Sequence, residues 1–443
     1  GAIATEDRDL PDTEAGWRSA LAALTVPEAW NLYTEDLSKP AFMQPPVPEG
    51  TLNGWEEIHP TEYGVPVLSK SHALKIRRIQ KTNPEHWVYL AINVQTSTGV
   101  MGRSNYNASR MNKGTGSRPF FGLTPSLRLG TWIMHDINMI RTNIDKIEDR
   151  YQYLREVDPL LWTVPWDGSK ESVIELGNLH PLYIDYARRW RNAGNGWYRT
   201  TTDARRITGQ VKGQTGDPWA PVNTSGKVHK VLNPSRNNFE YRRLSKIIFG
   251  ADYRRPISFK ESAKGYIVCR ALTGGQGKRE YLLERIIPFS NRRRGWDKVE
   301  QEAKDRVQKA EEAERIFSHA LGLLFCEDPE EGTSSGFISG YRKKEYNEPD
   351  KVYERQKNAL HARIDQRFFD RLFEAPNMDD QERLTFWETI LVEALETQFT
   401  EAKELCPNKH RWKRLAKAQS IAQNRARTAF TYANQFDNES AYA

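Results

Sequence analysis

The sequence has few residues of the kind that form covalent cross-links. It contains three cysteines among 443 residues, Cys269, Cys326 and Cys406, and they stand too far apart to form a CxxC pair. This spacing excludes a disulfide framework and predicts a reducing, cytoplasmic location. The longest apolar stretch, residues 316–326, is far shorter than the roughly 18 residues that a membrane span needs. No signal peptide is visible, so we expect no membrane partner.

Motifs for catalysis are also lacking. The nine histidines include no HExxH pair or other close ligand spacing, so a zinc hydrolase would lack its ligands. Gly274–Lys278 superficially resembles a phosphate loop. However, Leu272 stands where that loop needs its first glycine, and Arg279 stands where it needs Ser or Thr. No GxSxG elbow occurs. The sequence therefore predicts a protein with no catalytic centre, no metal and no cofactor.

Positive charge is present and unevenly distributed. The chain carries 65 Lys and Arg against 58 Asp and Glu, a net charge of +7. Residues 66–128 hold ten cations and one acid, and residues 197–295 hold 21 cations and seven acids, which leaves the rest at −16. Because a phosphate backbone is bound by a local positive surface, these two basic blocks predict a nucleic-acid partner. A solvated surface whose acids lie elsewhere in the chain is the alternative.

Hydrophobic patterns predict an α+β protein with a mixed α/β domain at 1–295 and an all-α four-helix bundle at 296–443. The first part shows a helical pattern at 16–37, a buried strand at 87–92, a long helix at 129–154 and a strand at 265–269. The bundle helices are predicted at 296–325, at 349–373, from Asp379 onward and after Asn408. The core stripes of the last two helices are Leu384, Trp387, Leu391, Leu395 and Phe399, and Trp412, Leu415, Gln419, Ala422, Ala426 and Phe430.

Three glycine-rich turns lie inside the two basic blocks, at 105–119, 208–213 and 274–279. Small residues there let the backbone approach a phosphate or a groove edge closely. The predicted fourth helix adds seven cations and no acid: Lys409, Arg411, Lys413, Arg414, Lys417, Arg425 and Arg427. For this helix, a nucleic-acid contact and a solvated face beside the acidic third helix both stay open.

Five blocks, in order along nearly the whole chain, resemble the CasA/Cse-type large subunit of type I-E CRISPR Cascade complexes. They are Lys39–Gln44, Asn107–Pro119, Gly216–Pro221, Gly274–Lys278 followed by Leu283–Arg285, and the C-terminal bundle. The resemblance implies a non-catalytic subunit that reads the protospacer-adjacent motif on duplex DNA, wedges the duplex open for R-loop formation and helps to recruit the helicase-nuclease. The implied partners are the guide RNA complex with the other Cascade subunits, double-stranded target DNA and that helicase-nuclease, with no cofactor.

The resemblance also implies roles for particular residues. A loop near the end of the guide RNA matches Ser69, Lys70, Ser71 and His72. A loop that reads the groove with its backbone matches Asn107, Ala108 and Ser109, followed by Arg110, and a lysine finger matches Lys212. A wedge hairpin matches the turn that carries Gln276, Lys278 and Arg279. On the fourth helix, contacts to a DNA strand are expected from Lys409, Arg411, Lys413 and Arg414.

The chain departs from the family pattern in three ways. Its groove-reading loop is poor in glycine, so we expect a different motif preference, and it lacks the zinc-type cysteine pairs of some relatives. It begins at Gly1 without the family's usual opening segment, which we expect to be missing. Two other readings stay open: a different basic RNA- or DNA-binding scaffold subunit, and a metal-dependent nuclease that uses Asp136, Glu148 and Asp149.

Overall fold

The fold is α+β, as the sequence predicts, in a computed structural model of the chain. The structure describes residues 10–22, 27–58, 83–97, 106, 108–112, 118–235, 239–250, 252–257, 264–275, 278–290, 295–325, 349–406, 408 and 411–433. The chain divides into two compact units, Gly1–Phe239 with Ala251–Phe289, and Glu240–Gly250 with Ser290–Ala443. The second unit therefore includes a short segment that the sequence pattern leaves in the mixed part. Within the described ranges, no helix is long and apolar enough to span a membrane.

The first unit combines three helices with mostly short strands. Its helices are α1 (Glu14–Ala22), α2 (Pro84–Thr96) and α3 (Leu129–Tyr151). Its strands are β1 (Glu56–Ile58), β2 (Phe120–Thr124), β3 (Ile174–Glu175), β4 (Trp190–Asn192), β5 (Trp197–Arg199), β6 (Ile207–Thr208), β7 (Val222–Asn223), β8 (Lys230–Val231), β9 (Tyr253–Arg254), β10 (Lys264–Gly275) and β11 (Lys278–Ser290). The sheets have the strand orders β1-β5-β4, β11-β10-β2, β3-β6 and β8-β7-β9.

Helix α2 corrects a prediction, because the apolar run 87–92 was expected to be a strand. The Asn83 side chain accepts a hydrogen bond from the backbone N–H of His86 at 3.0 Å, and Pro84 occupies the first helical turn. Such a cap and such a proline favour a helix start immediately before the apolar run. The helix buries Leu90 and Val94. A short apolar run does not distinguish a helix from a strand by itself, and the cap settles it here.

Helix α3 confirms the long helix predicted at 129–154, and it has an isoleucine face that is buried over most of its length. Ile140, Ile144 and Ile147 are buried, whereas Ile133 near the N-terminus of the helix is exposed. Gly216 packs directly on this face with a φ of +74°, and a Cβ there would lie 2.7 Å from Cγ2 of Ile147. A side chain at position 216 would therefore be strained by both its backbone angle and its neighbour.

The interior of the first unit is rich in arginine as well as in apolar side chains. Arg188, Arg189, Arg191 and Arg206 are each at most 6% exposed. Their guanidinium groups donate to backbone carbonyls, mostly of irregular segments, for example from Arg189 to Asp167 at 2.6 Å and from Arg206 to Ser172 at 2.7 Å. Buried carbonyls outside regular structure need such donors. The irregular chain of this unit is thus held together by arginines.

The second unit is helical. It contains α4 (Tyr241–Phe249), α5 (Trp296–Phe325), α6 (Pro349–Arg367), α7 (Asp380–Glu404) and α8 (Arg411–Ala429). The last four helices form the predicted bundle. Helix α7 begins where the sequence indicates, because the Asp379 side chain accepts a hydrogen bond from the backbone N–H of Glu382 at 2.7 Å. Trp387 of its stripe is 1% exposed and donates from Nε1 to the Arg306 carbonyl at 3.2 Å.

The predicted stripe of α8 is wrong at two positions, because Trp412 is 71% exposed and Gln419 is also exposed. Arg414 and Ala418 are the residues that this helix buries, and α8 packs mainly against α5. Two positions correspond to about 200° around a helix, so burial of Arg414 turns Trp412 away from the bundle. The prediction placed the Trp412 ring in the core because arginines such as Arg414 are usually exposed.

Candidate nucleic-acid interface

Two of the sequence-predicted elements meet in the first unit. The turn that carries Lys212, with a bridge between Val211 and Gln214, lies against the loop that contains Ala108–Asn112. Gly213 adopts a φ of +79°, and a Cβ there would lie 2.7 Å from the backbone carbon of Met111. Glycine is required at this contact because two backbone segments touch. The loop predicted to read the groove and the predicted lysine finger, about 100 residues apart in the chain, thus form one structural feature.

The loop side of this contact is a buried anchor. Ala108, Ser109 and Arg110 are 0%, 4% and 6% exposed. The Ser109 hydroxyl donates to Asp185 at 2.7 Å, and Arg110 donates to the Tyr183 carbonyl at 2.8 Å. The loop was expected to read the groove with its backbone, and Arg110 was expected to contact DNA beside it. The polar groups of the Ser109 and Arg110 side chains are used inside the protein, so the position of Arg110 does not support a direct contact with DNA.

The anchor balances its charges internally. Burial raises the pKa of the Asp185 carboxyl, and the nearby Arg110 guanidinium opposes that rise. Burial also opposes the charge of Arg110, but Tyr183, Asp217 and Asp185 hold its pKa above the ordinary value. The guanidinium lies 4.2 Å from the centroid of the Tyr183 ring, within the range of a cation–π contact. The loop is therefore held in one position by a buried ionic network.

The exposed part of the feature is Lys212 and the hairpin beside it. Lys212 is exposed at a φ of +51°, and its carbonyl accepts a hydrogen bond from the Val231 N–H at 3.1 Å. Gln214 donates from Nε2 to the His229 carbonyl at 2.8 Å. These bonds hold the β7–β8 hairpin against the turn. The exposed residues that this hairpin carries include Lys227, His229 and Lys230.

Sequence reasoning missed these hairpin residues. The run Lys227–Lys230 lies within the second basic block, between two of the glycine-rich turns. It contains no motif of its own, so only its charge could have identified it. The four residues Lys212, Lys227, His229 and Lys230 are called the lysine surface below.

The predicted wedge turn falls between the ends of two long strands, β10 and β11. β10 and β11 are neighbours in one sheet, and β10 pairs antiparallel with β2 from Tyr266 opposite Thr124 to Arg270 opposite Phe120. A strand-to-strand connection differs from the strand-to-helix geometry of a phosphate loop. Lys278 and Arg279 begin β11. Gln276, Ser69, Lys70, Ser71, His72, Asn107 and Lys409 lie outside the described residues.

On helix α8, two of the predicted DNA contacts serve the bundle. Arg414 is 4% exposed and donates to the Leu324 carbonyl at 3.2 Å, which corrects its expected contact with DNA. Arg411 donates at 3.4 Å to the carbonyls of Cys406 and Lys403, at the C-terminal end of α7. Cations favour that end of a helix. Lys413 is half-buried, with its Nζ 5.8 Å from the Trp412 ring centroid.

The two basic blocks thus present less positive charge at the protein surface than their composition suggests. Arg110 and Arg206 are buried, and Arg118 forms an ion pair with Asp217. Burial opposes the charge of Asp217, but Arg118 holds the pKa of its carboxyl below the ordinary value. The surface charge that remains in this neighbourhood includes the lysine surface.

The carboxylates weighed for a nuclease do not converge. Asp136 contacts His135 at 3.4 Å, and Glu148 pairs with Arg155. The two acids lie more than three turns apart on α3, about 18 Å along the helix axis. Among the described residues, no group of three or more His, Cys, Asp or Glu could hold a metal ion.

The chain has the fold of CRISPR-associated proteins of known structure. Within that class the shared fold is that of CasA, also called Cse1. The chain matches a CRISPR-associated protein from Thermus thermophilus with a TM-score of 0.59 and 13% identity, covering 94% of this chain and 82% of that chain. It matches CasA from the same organism with a TM-score of 0.56, 13% identity and coverage of 94% and 83%.

Cse1 from Acidimicrobium ferrooxidans shares the fold with a TM-score of 0.52, 12% identity and coverage of 78% and 72%. The resemblance that the five sequence blocks predict is therefore confirmed at the level of the fold. No protein-family model matches the sequence, and no curated protein matches it.

Proposed function

We propose that the chain is the non-catalytic large subunit of a type I-E CRISPR Cascade complex. The observation that carries this proposal is the CasA fold, which extends over 94% of the chain. In this role the chain recognises the protospacer-adjacent motif on duplex DNA, opens the duplex for pairing with the guide RNA, and helps to recruit the helicase-nuclease.

The lysine surface supports duplex binding in this proposal. Lys212 is the predicted finger, and Lys227 and Lys230 add charge beside it on a hairpin fixed by backbone hydrogen bonds. Such a fixed cluster of cations binds phosphates with little loss of conformational freedom. Ser109 and Arg110 then act as the anchor that holds this surface in place.

The β10–β11 hairpin is the proposed wedge. Opening a duplex costs about 1.4 kcal/mol of stacking per base-pair step, and R-loop formation is nearly balanced overall. The first steps therefore need help before the guide RNA has paired. A hairpin of two long strands, with Gln276, Lys278 and Arg279 at its turn, can insert below the motif and replace stacking at one step.

Co-purification tests the proposed complex. When the full chain is expressed with Cascade subunits and a repeat-flanked guide RNA, we expect it to purify with the ribonucleoprotein and to confer motif-dependent duplex binding. Equal affinity for duplexes with and without the motif would favour the other basic scaffold instead. Cleavage of labelled DNA by the purified chain in Mg²⁺ or Mn²⁺ would favour the nuclease.

A separate experiment tests the wedge. Replacing Gln276, Lys278 and Arg279 together by Ala should leave motif binding largely intact and slow unwinding of a paired target. The same variant should recover on a target already mismatched at its first base pairs, because no wedge is needed there. An equal defect on paired and pre-opened targets would assign the hairpin to binding rather than to opening.

A further inference from the structure

Helix α8 combines an exposed aromatic ring with a surface of one charge sign. Trp412 is 71% exposed. A single exposed apolar side chain is ordinary on a protein surface, so the ring alone indicates nothing. Its surroundings are unusual, because α8 carries Arg and Lys along its length and no acid between Arg411 and Ala429.

The start of α8 is an unfavourable place for these cations. The first turn of the helix contains no acidic residue, although it contains Arg411, Lys413 and Arg414. The N-terminal end of a helix carries a partial positive charge, so cations there are repelled. Arg411 and Arg414 are accounted for by their bonds to carbonyls of the bundle. The Nζ of Lys413 lies 5.8 Å from the centroid of the exposed Trp412 ring.

The rest of the exposed face has polar and small side chains. The helical period places Ala416, Ser420, Gln423 and Arg427 in a row with Trp412, and all four are exposed. The row is about 22 Å long at the rise of an α-helix. A surface that binds a protein is expected to carry more apolar side chains than this row does. A polyanion with flat, stackable groups fits the ring, the cations and the amide together.

We propose that Trp412 stacks on an unpaired base of a single-stranded nucleic acid that lies along this face of α8. Which strand reaches the helix rests on the proposed function, in which R-loop formation displaces one strand of the target. The stacking itself needs only a base with a free face, which packs on the exposed ring, and a phosphate backbone, which the neighbouring cations attract.

Binding of labelled oligomers, each about 20 nucleotides long so that it spans the row, to the full-length chain tests this inference. We expect Trp412→Ala to weaken binding of oligo-dT by about 5- to 150-fold, the range for loss of one stacked base. Trp412→Phe should retain most of the affinity, whereas Trp412→Leu, which is apolar but not aromatic, should not. An oligo-rU of the same length shows whether the site distinguishes RNA from DNA. Tyr89→Ala is the matched control, because Tyr89 is 70% exposed in the first unit.

A fully abasic oligomer of the same length separates stacking from charge. The wild type and Trp412→Ala should bind it equally, because it presents phosphates without bases. Three results would overturn the inference: an equal loss of affinity by Trp412→Ala on the abasic and the dT oligomers, unchanged dT binding by Trp412→Ala, or wild-type dT affinity of Trp412→Leu. Loss of a co-purifying protein subunit with unchanged dT binding would assign the face to protein docking. The assay uses no guide RNA, so failure of the motif-binding test does not affect its outcome.

Discussion

The interiors of the two units depend to different extents on helix packing and on buried arginines. In the helical unit, long helices satisfy their own backbone groups and bury apolar rings such as Trp387. In the first unit, most strands have only two to five residues and alternate with irregular segments, and buried arginines donate to the carbonyls of those segments. Arg191 alone contacts the carbonyls of Gln44, Pro45, Thr34 and Asp36 at 3.2–3.5 Å. The comparison shows that a basic residue in this sequence can be a structural donor as well as a surface charge.

The largest effect is expected from a cavity in the helical unit. Trp387→Ala removes a ring that packs edge-on against Phe368 at 5.6 Å, and it should lower the free energy of unfolding by about 3–5 kcal/mol. The matched control is Trp412→Ala, an exposed residue of the same type, which should change stability by less than about 0.5 kcal/mol. Chemical denaturation measures both. Equal losses from the two variants would contradict the assignment of Trp387 to the core and Trp412 to the surface.

A charge-conserving substitution tests the arginine-held unit. Burial lowers the pKa of Arg191 only to about 10, so the side chain stays charged at neutral pH. Arg191→Lys keeps the positive charge, but a single ammonium group cannot contact all the carbonyls that the two ends of the guanidinium group contact. The substitution should therefore lower the free energy of unfolding by about 1–3 kcal/mol. Arg199→Lys, which affects an ion pair with the exposed Glu56, should cost about 0–1 kcal/mol. If urea denaturation gives the same loss for both, the carbonyl contacts of Arg191 do not stabilise the unit.

A pH-dependent contribution is expected in the helical unit. His361, whose Nε2 lies 3.0 Å from the Glu314 carboxylate, and Lys357, whose Nζ lies 2.9 Å from it, lower the pKa of Glu314 from 4.5 to about 2. Between these values the unfolded chain binds the proton and the folded chain does not, so stability falls as the pH drops from about 4.5 towards about 2. Glu314→Gln should lose this part of the pH dependence. Parallel stability profiles for the variant and the wild type would contradict the expectation.

The smallest effect concerns the lysine surface. Lys212→Ala should weaken duplex binding similarly on all sequences and reduce the slope of log affinity against log salt by about 0.9, the value for one phosphate contact. Lys298→Ala, an exposed lysine at the start of α5, is the control and should leave the slope unchanged. Binding titrations at several salt concentrations measure both. An unchanged slope for Lys212→Ala would remove this lysine from the interface.

The outcome of the sequence predictions follows the same division. In the helical unit, α5 covers the predicted residues 296–325, and α7 starts at its predicted acidic cap. Those predictions rest on local signals, the helical period and the N-cap, which act within a few residues. In the first unit, the predicted strand at 87–92 is helix α2. The apolar run is too short for its hydrophobic period to distinguish a helix from a strand. The N-cap that favours the helix lies before the apolar residues.

The site follows from contacts between distant parts of the chain. The sequence by itself determined the fold class, the long helices, the strand around Cys269 and the concentration of cations in two blocks. The tertiary structure decided which cations are exposed. Arg110 and Arg414 lie inside, and Lys212 lies outside beside Lys230. The physical reason is that a buried arginine needs carbonyls or carboxylates from remote segments, and only the folded chain brings those partners within hydrogen-bonding distance.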